Sequence, residues 1–364
     1  MKKEYPFYIK APMVLLGLVI CIYMLSVLRD ILVPLAFAAL IAILLNPISS
    51  RLERKVPKIL AITLSMLIAL IGITALAYFL SAQIAHFFDN VDAMKQKLSE
   101  LLILIQRWLE QSFGIGAKKQ VQMVNEAANS SKAVIGQTLN GALGVLSVIF
   151  LIPVYTFLMM LYKTLILNFF YEVFAEENQR KVAEVLSETK TAIQSYIVGL
   201  LIETGIVAVM NSIALLLLGV PNAILIGTIG AILNLLPYIG GIIAIALPVL
   251  MATLTSDGFT TQLLIIAAYA LIQFIDNNIL VPRIVSSKVQ INALISIVIV
   301  LMGAALWGIP GMFLSIPFIA VLKIVFDRIE ELKPWGKILG DSIPTEHMGQ
   351  LKRFRRRRAK GTGS

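Results

Sequence analysis

The sequence predicts an all-α polytopic membrane protein with two re-entrant helical hairpins in an inverted repeat and an extracytoplasmic helical insert. Three observations lead there. The 364-residue chain is 58% hydrophobic and only 14% charged, an apolar load that lipid solvates directly and a soluble fold of this size cannot hide. The apolar residues fall into runs at 11–28, 31–45, 59–84, 139–161, 196–218, 223–254, 263–281 and 291–325, most of them near the roughly 20 residues that cross a bilayer. The two longest late runs are each interrupted by proline and glycine, at "NLLPYIGG" (234–241) and "WGIPGM" (307–312).

Taken in order, Lys2, Lys3 and Lys10 place the N-terminus in the cytoplasm by the positive-inside bias. The first two runs, joined by Arg29 and Asp30, end at Arg51, Arg54, Lys55 and Lys58, a second cytoplasmic mark. Together they form domain 1–84, in which 59–84 then crosses outward. Residues 85–137 form the insert, where Val91, Met94, Leu98, Leu101, Leu102 and Ile105 recur at helical spacing. Domain 138–195 returns inward and continues as an amphipathic cytoplasmic helix with Val182, Val185, Leu186, Thr189 and Ile193 along one side. That helix suits either packing on its neighbours or lying in the interface.

Domain 196–326 is the expected transport core, with hairpins at 223–254 and 291–325. If 223–254 crossed fully, "TSDGF", without a basic residue, would lie inside and "PRIVSSK", with Arg283 and Lys288, outside. Both violate the positive-inside bias. Folding back at "PYIGG" satisfies both loops, and a second fold-back at "WGIPGM" leaves the C-terminus cytoplasmic. Each half is then a spanning helix followed by a broken segment, in opposite orientations. Paired Gly/Pro-interrupted segments of this kind point to a transporter binding site, although helix kinks would give the same residues.

The expected tips are Pro237, Gly240 and Gly241, and Gly308, Pro310 and Gly311. Proline removes a backbone donor and glycine tolerates unwound geometry. The freed polar groups are stable only inside protein or along a hydrated cavity. Two carboxylates lie within predicted spans, Glu203 and Asp276, and intramembrane carboxylates are functional candidates by default. Gln273, Asp276 and Asn277 fall on one side of a helix, with Asn278 rotated away. Asn234 adds a side chain at the first tip, and Pro282 and Arg283 are placed in a loop. These five polar residues, Glu203, Asn234, Gln273, Asp276 and Asn277, form the candidate solute or ion site. For Asp276 the alternative is a pair with Arg283 two turns on.

Composition also excludes functions. Cys21 stands alone, so there is no disulfide framework. His86 and His347 offer no metal site. Hydrolase and nucleotide-binding motifs are missing, so no enzyme, cofactor or metal is expected beyond a coupling H+ or Na+. The net charge of +10 owes seven charges to "LKRFRRRRAK" in the tail 327–364. Beside a membrane such a cluster meets anionic headgroups or serves only as a solvated topological signal, not a nucleic-acid site. The closing "GTGS" reads as an appended tail and is set aside.

"LLLGVPNAILIGTIGAILNLLPYIGG", "IQFIDNNILVPRIV" and "GAALWGIPGMFLSIPFIAVLKI" resemble the autoinducer-2 exporter family of bacterial membrane transporters. The resemblance covers nearly the whole chain, with Pro237, Gly240, Gly241, Pro282, Gly308 and Gly311 at matching positions. It implies a homo-oligomer, a pentamer, in the bacterial cytoplasmic (inner) membrane, exporting a small polar solute of the autoinducer-2 kind used in quorum sensing. The chain departs from the family pattern at Leu200 and Ala293. The reading that follows is a secondary transporter working by alternating access. The alternatives are a sodium/proton antiporter and, from another class, a non-transporting membrane scaffold.

Overall fold

A computed structural model describes residues 7–88, 150–174, 176–237, 240–255, 258–285 and 291–341, with isolated positions between 103 and 111. Nearly all of the expected insert, and the basic cluster of the tail, therefore lie outside the described residues. Among the described residues the regular elements are all helical: α1 (Phe7–Val27), α2 (Arg29–Leu52), α3 (Lys58–Phe88), α4 (Phe150–Leu161), α5 (Lys163–Val173), α6 (Gln179–Leu217), α7 (Ala223–Asn234), α8 (Gly240–Thr255), α9 (Thr260–Ile275), α10 (Ala293–Arg328) and α11 (Lys333–Leu339). Among the described residues five segments are long and apolar enough to cross a membrane, those of α2, α3, α6, α9 with its extension, and α10, and α4 with α5 would make a sixth if the bent pair is one span.

The longest is α6, an unbroken 39-residue helix about 58 Å long at 1.5 Å per residue, roughly twice a bilayer's hydrocarbon thickness. The cytoplasmic helix and the span expected at 196–218 are thus one rod, and the division expected between 195 and 196 falls inside it. No proline interrupts 179–217, and the isolated Gly199 and Gly205 do not suffice to break a helix. Gly199, Glu203, Val207, Asn211 and Leu215 are all buried, one residue in every four, so a single stripe of α6 faces the protein.

On that stripe lies a hairpin. Gly230 of α7 faces Ala244 of α8, and Ile226 shares a core with Met251 and Ala252. Contacts pair positions progressively further from the turn on either side, so the arms run antiparallel. With 12 and 16 residues, about 18 and 24 Å, neither arm spans a bilayer by itself. The turn requires Gly240, where any side chain would strike the Leu233 carbonyl.

By length α10 could cross, yet it is not one rod. Gly308 has φ 65° and ψ −141°, outside the helical region and suited to glycine alone. The Ser315 hydroxyl donates to the Ile299 carbonyl at 3.0 Å, although 16 residues of continuous helix would separate them by about 24 Å. Gly303 presses on Gly311 with no room for a side chain on either. The chain doubles back at Trp307–Gly308, and Pro310 and Gly311, expected at the tip, sit in the returning arm.

This second hairpin packs on the other half of α6. Leu314 joins Ile193, Ile197 and Leu40 of α2 in one core, and Arg328 binds both Glu184 and Glu188. Helices α2, α3 and α4 hold a separate core around Leu45, Ile62 and Met160.

The segment Asp276–Val285 continues α9 as a π-helix. Pro282 and Arg283, expected in a loop, lie inside this helical stretch. Proline cannot donate to the ladder, and the wider i→i+5 winding accommodates it. Such turns mark functional positions more often than chance.

Candidate functional site

The five polar candidates meet in one place. Glu203 comes from the buried stripe of α6, Asn234 from the C-terminal end of α7 at the first tip, and Gln273, Asp276 and Asn277 from the junction of α9 with its π-helical extension. Asp276 is 2% exposed and Glu203 4%, a degree of burial that carboxylates tolerate only with partners. The Asn234 side-chain amide supplies them: its Nδ2 donates to Asp276 Oδ2 at 3.1 Å and reaches Glu203 Oε1 at 3.5 Å. Gln273 Nε2 donates to the same Asp276 oxygen at 3.3 Å and to Asn277 Oδ1 at 3.3 Å.

Asp276 takes these amide partners instead of Arg283, which excludes the pair considered from sequence. Its other oxygen, Oδ1, is buried and has no partner. An orphaned acceptor of this kind costs about 1–3 kcal/mol or more, and a proton, a cation or a solute hydroxyl would relieve it. Asn278 turns away and donates to the Phe274 carbonyl at 2.8 Å.

The tip glycine fits the cluster closely. A Cβ on Gly241 would stand 3.0 Å from Gln273 Oε1 and 3.5 Å from Asn234 Oδ1, so the bare backbone admits both amides. Gly199, one turn of α6 before Glu203, meets the Ile284 carbonyl and brings the π-helical stretch onto α6. Val207, Ala231 and Ile272 close one side of the cluster with an apolar core.

Of the tip residues, Gly240 and Gly241 adjoin this cluster, and Pro237 lies in the turn that follows Asn234. Gly308, Pro310 and Gly311 do not: the second tip donates from Trp307 Nε1 to the Leu25 carbonyl of α1 at 2.9 Å. Sequence reasoning also missed Asn211, which is 2% exposed and whose Nδ2 donates to the Gly227 carbonyl at 3.4 Å. The available signal was its spacing, two four-residue steps beyond Glu203 on one face. No group of three or more His, Cys, Asp or Glu side chains suited to a metal ion occurs among the described residues.

Comparison with known proteins bears on this arrangement. A family model described as AI-2E family transporter matches residues 13–331. The chain is 26% identical over 303 residues to the AI-2 transport protein TqsA of Escherichia coli K12, covering 82% of this chain and 86% of that protein. It is 25% identical over 315 residues to the putative transport protein YueF of Bacillus subtilis 168, covering 82% and 84%. Over 323 residues it is 25% identical to the putative transport protein YhhT of Escherichia coli K12, covering 88% and 90%.

Proposed function

The chain belongs to the AI-2E transporter family, and from that premise we propose that it is a secondary transporter exporting a small polar organic solute across the bacterial cytoplasmic membrane. The observation that carries this reading is the buried pair Glu203 and Asp276, held by Asn234 of a hairpin tip, with Asp276 Oδ1 unpartnered. A polyhydroxylated solute such as an autoinducer-2-like signal offers the donors that this cluster lacks. Helix breaks beside intramembrane polar groups are the usual architecture of such sites.

In this reading both hairpins are re-entrant, the first from outside and the second from the cytoplasm, and the two helix-plus-hairpin units form an inverted repeat. Alternating access arises when the unit α6–α10 rocks against α2–α4, which have an apolar core of their own. Both termini are cytoplasmic, and the protein works as a homo-oligomer, a pentamer.

A second reading, sodium/proton exchange, draws on the same two carboxylates. Carboxylates inside a membrane mark ion pathways and proton relays, and this pair faces a common amide, that of Asn234. One experiment separates the readings. In proteoliposomes, Asp276→Asn is expected to lower export of an autoinducer-2-like solute about 100-fold while the protein remains monodisperse. Unchanged flux of the variant would reject the site, whereas sodium-driven proton movement by the unmodified protein without any export of that solute would favour exchange.

A further inference from the structure

Away from this cluster, where α2 ends and α4 turns into α5, the protein carries a second polar cleft of about 210 Å³, room for about seven waters. It is lined by Asn46, Ser49, Glu53, Lys58, Lys163 and Thr164, with Met160 at its apolar end. Lys58 Nζ donates to the Leu161 carbonyl at 2.7 Å, and Lys163 Nζ to Asn46 Oδ1 at 2.8 Å. Each ammonium has three donors, so among the described residues each keeps two free. Glu53 is engaged by the Ser49 hydroxyl at 3.1 Å. With two lysines and one glutamate the lining carries a net charge of +1, which a single phosphodiester balances.

The surroundings say where that phosphodiester comes from. Helices α4 and α5 meet at an angle of 64°, so α5 turns aside where α4 ends. Leu165, Phe169 and Val173 of α5, four residues apart, are 66%, 59% and 59% exposed. An exposed apolar helix face that turns steeply away from the apolar helix before it suits an interfacial helix. Basic pockets between helices at the cytoplasmic surface take lipid headgroups. Arg51, Arg54 and Lys55 lie within a few residues of Glu53 and Lys58 in the chain and add attraction to an anionic leaflet.

We propose that this cleft binds the phosphodiester of an inner-leaflet glycerophospholipid, gripped by Lys58 and Lys163, with the acyl chains running along the exposed apolar face of α5. The site is separate from the Asp276 cluster and stands or falls independently of the solute transported.

Native mass spectrometry of the full-length protein in detergent tests it, with phosphatidylglycerol, diacylglycerol and inorganic phosphate as probes. A phosphatidylglycerol adduct is expected to persist, diacylglycerol not to bind, and millimolar phosphate not to displace the lipid. The double variant Lys58→Ala, Lys163→Ala should weaken the adduct about 30-fold. Because Lys58 also caps α4, Lys163→Gln serves as a milder second variant and should weaken it about fivefold. Equal adducts in Lys163→Gln and the unmodified protein, equal retention of diacylglycerol, or displacement by phosphate would each overturn the proposal.

Discussion

At the first hairpin's turn, Asn234 and Gly241 stand among two carboxylates and the amide of Gln273; at the second, Trp307 is tied to a carbonyl of α1 and packs with Phe37, Phe313 and Leu314. The two breaks have the same composition, a proline and two glycines in a long apolar run. What differs is what each meets. The first turn rests on the half of α6 that carries Glu203 and Asn211, and the second on the half that carries Ile193 and Ile197. A Pro/Gly break therefore reports that the chain doubles back. Polar side chains arriving from other helices decide whether a ligand is received there.

Substitutions can break or sharpen that contrast, beginning with the most severe. Gly311→Val forces a side chain into the Gly303 carbonyl, where both arms are backbone and cannot yield. It is expected to abolish folding, read as loss of the monodisperse peak in size-exclusion chromatography. A stable Gly311→Val protein would mean that the second hairpin is not closed as described.

Gly241→Ala is the milder counterpart at the first turn. Its Cβ meets the movable end of Gln273 at 3.0 Å, so the fold should survive while the amide is displaced from Asp276. Transport is expected to fall about tenfold, the loss of one hydrogen bond to a carboxylate, with little change in Tm. Trp307→Phe should do the reverse, costing about 1 kcal/mol of stability through the lost Leu25 bond and leaving solute affinity unchanged. If Trp307→Phe instead alters affinity, the second tip belongs to the site after all.

The smallest effect is expected at Arg328→Gln, which removes the bonds to Glu184 and Glu188. Solvent-accessible ion pairs contribute little and are screened by salt. Melting curves of variant and parent should coincide in high salt and separate slightly in low salt.

Much of this architecture was legible beforehand because membrane solvation leaves few options. The runs of apolar residues located the long apolar helices, and the Pro/Gly breaks at "PYIGG" and "WGIPGM" marked where the chain doubles back. The polar candidates were legible for the same reason: Glu203, Asn234, Gln273, Asp276 and Asn277 are costly anywhere in a span except facing one another. Three things were not. The merging of 179–217 into one rod depends on the absence of a helix breaker, which polarity changes near Tyr196 obscured. The π-helical winding after Ile275 puts Pro282 and Arg283 in a helix, where a proline ordinarily suggests an end. The separation of the two tips is set by tertiary packing on α6, and neither break encodes its neighbours.

The continuity of α6 has a mechanical corollary. Gly199, where the helix touches the backbone of Ile284, divides the 39-residue rod almost at its midpoint, with an arm of about 29 Å on either side. A tilt of about 10° around that fulcrum would carry the ends about 5 Å in opposite directions. A see-saw of this kind converts a small displacement beside Asp276 into an opposed displacement at the Arg328 clasp, with no flexible joint in between.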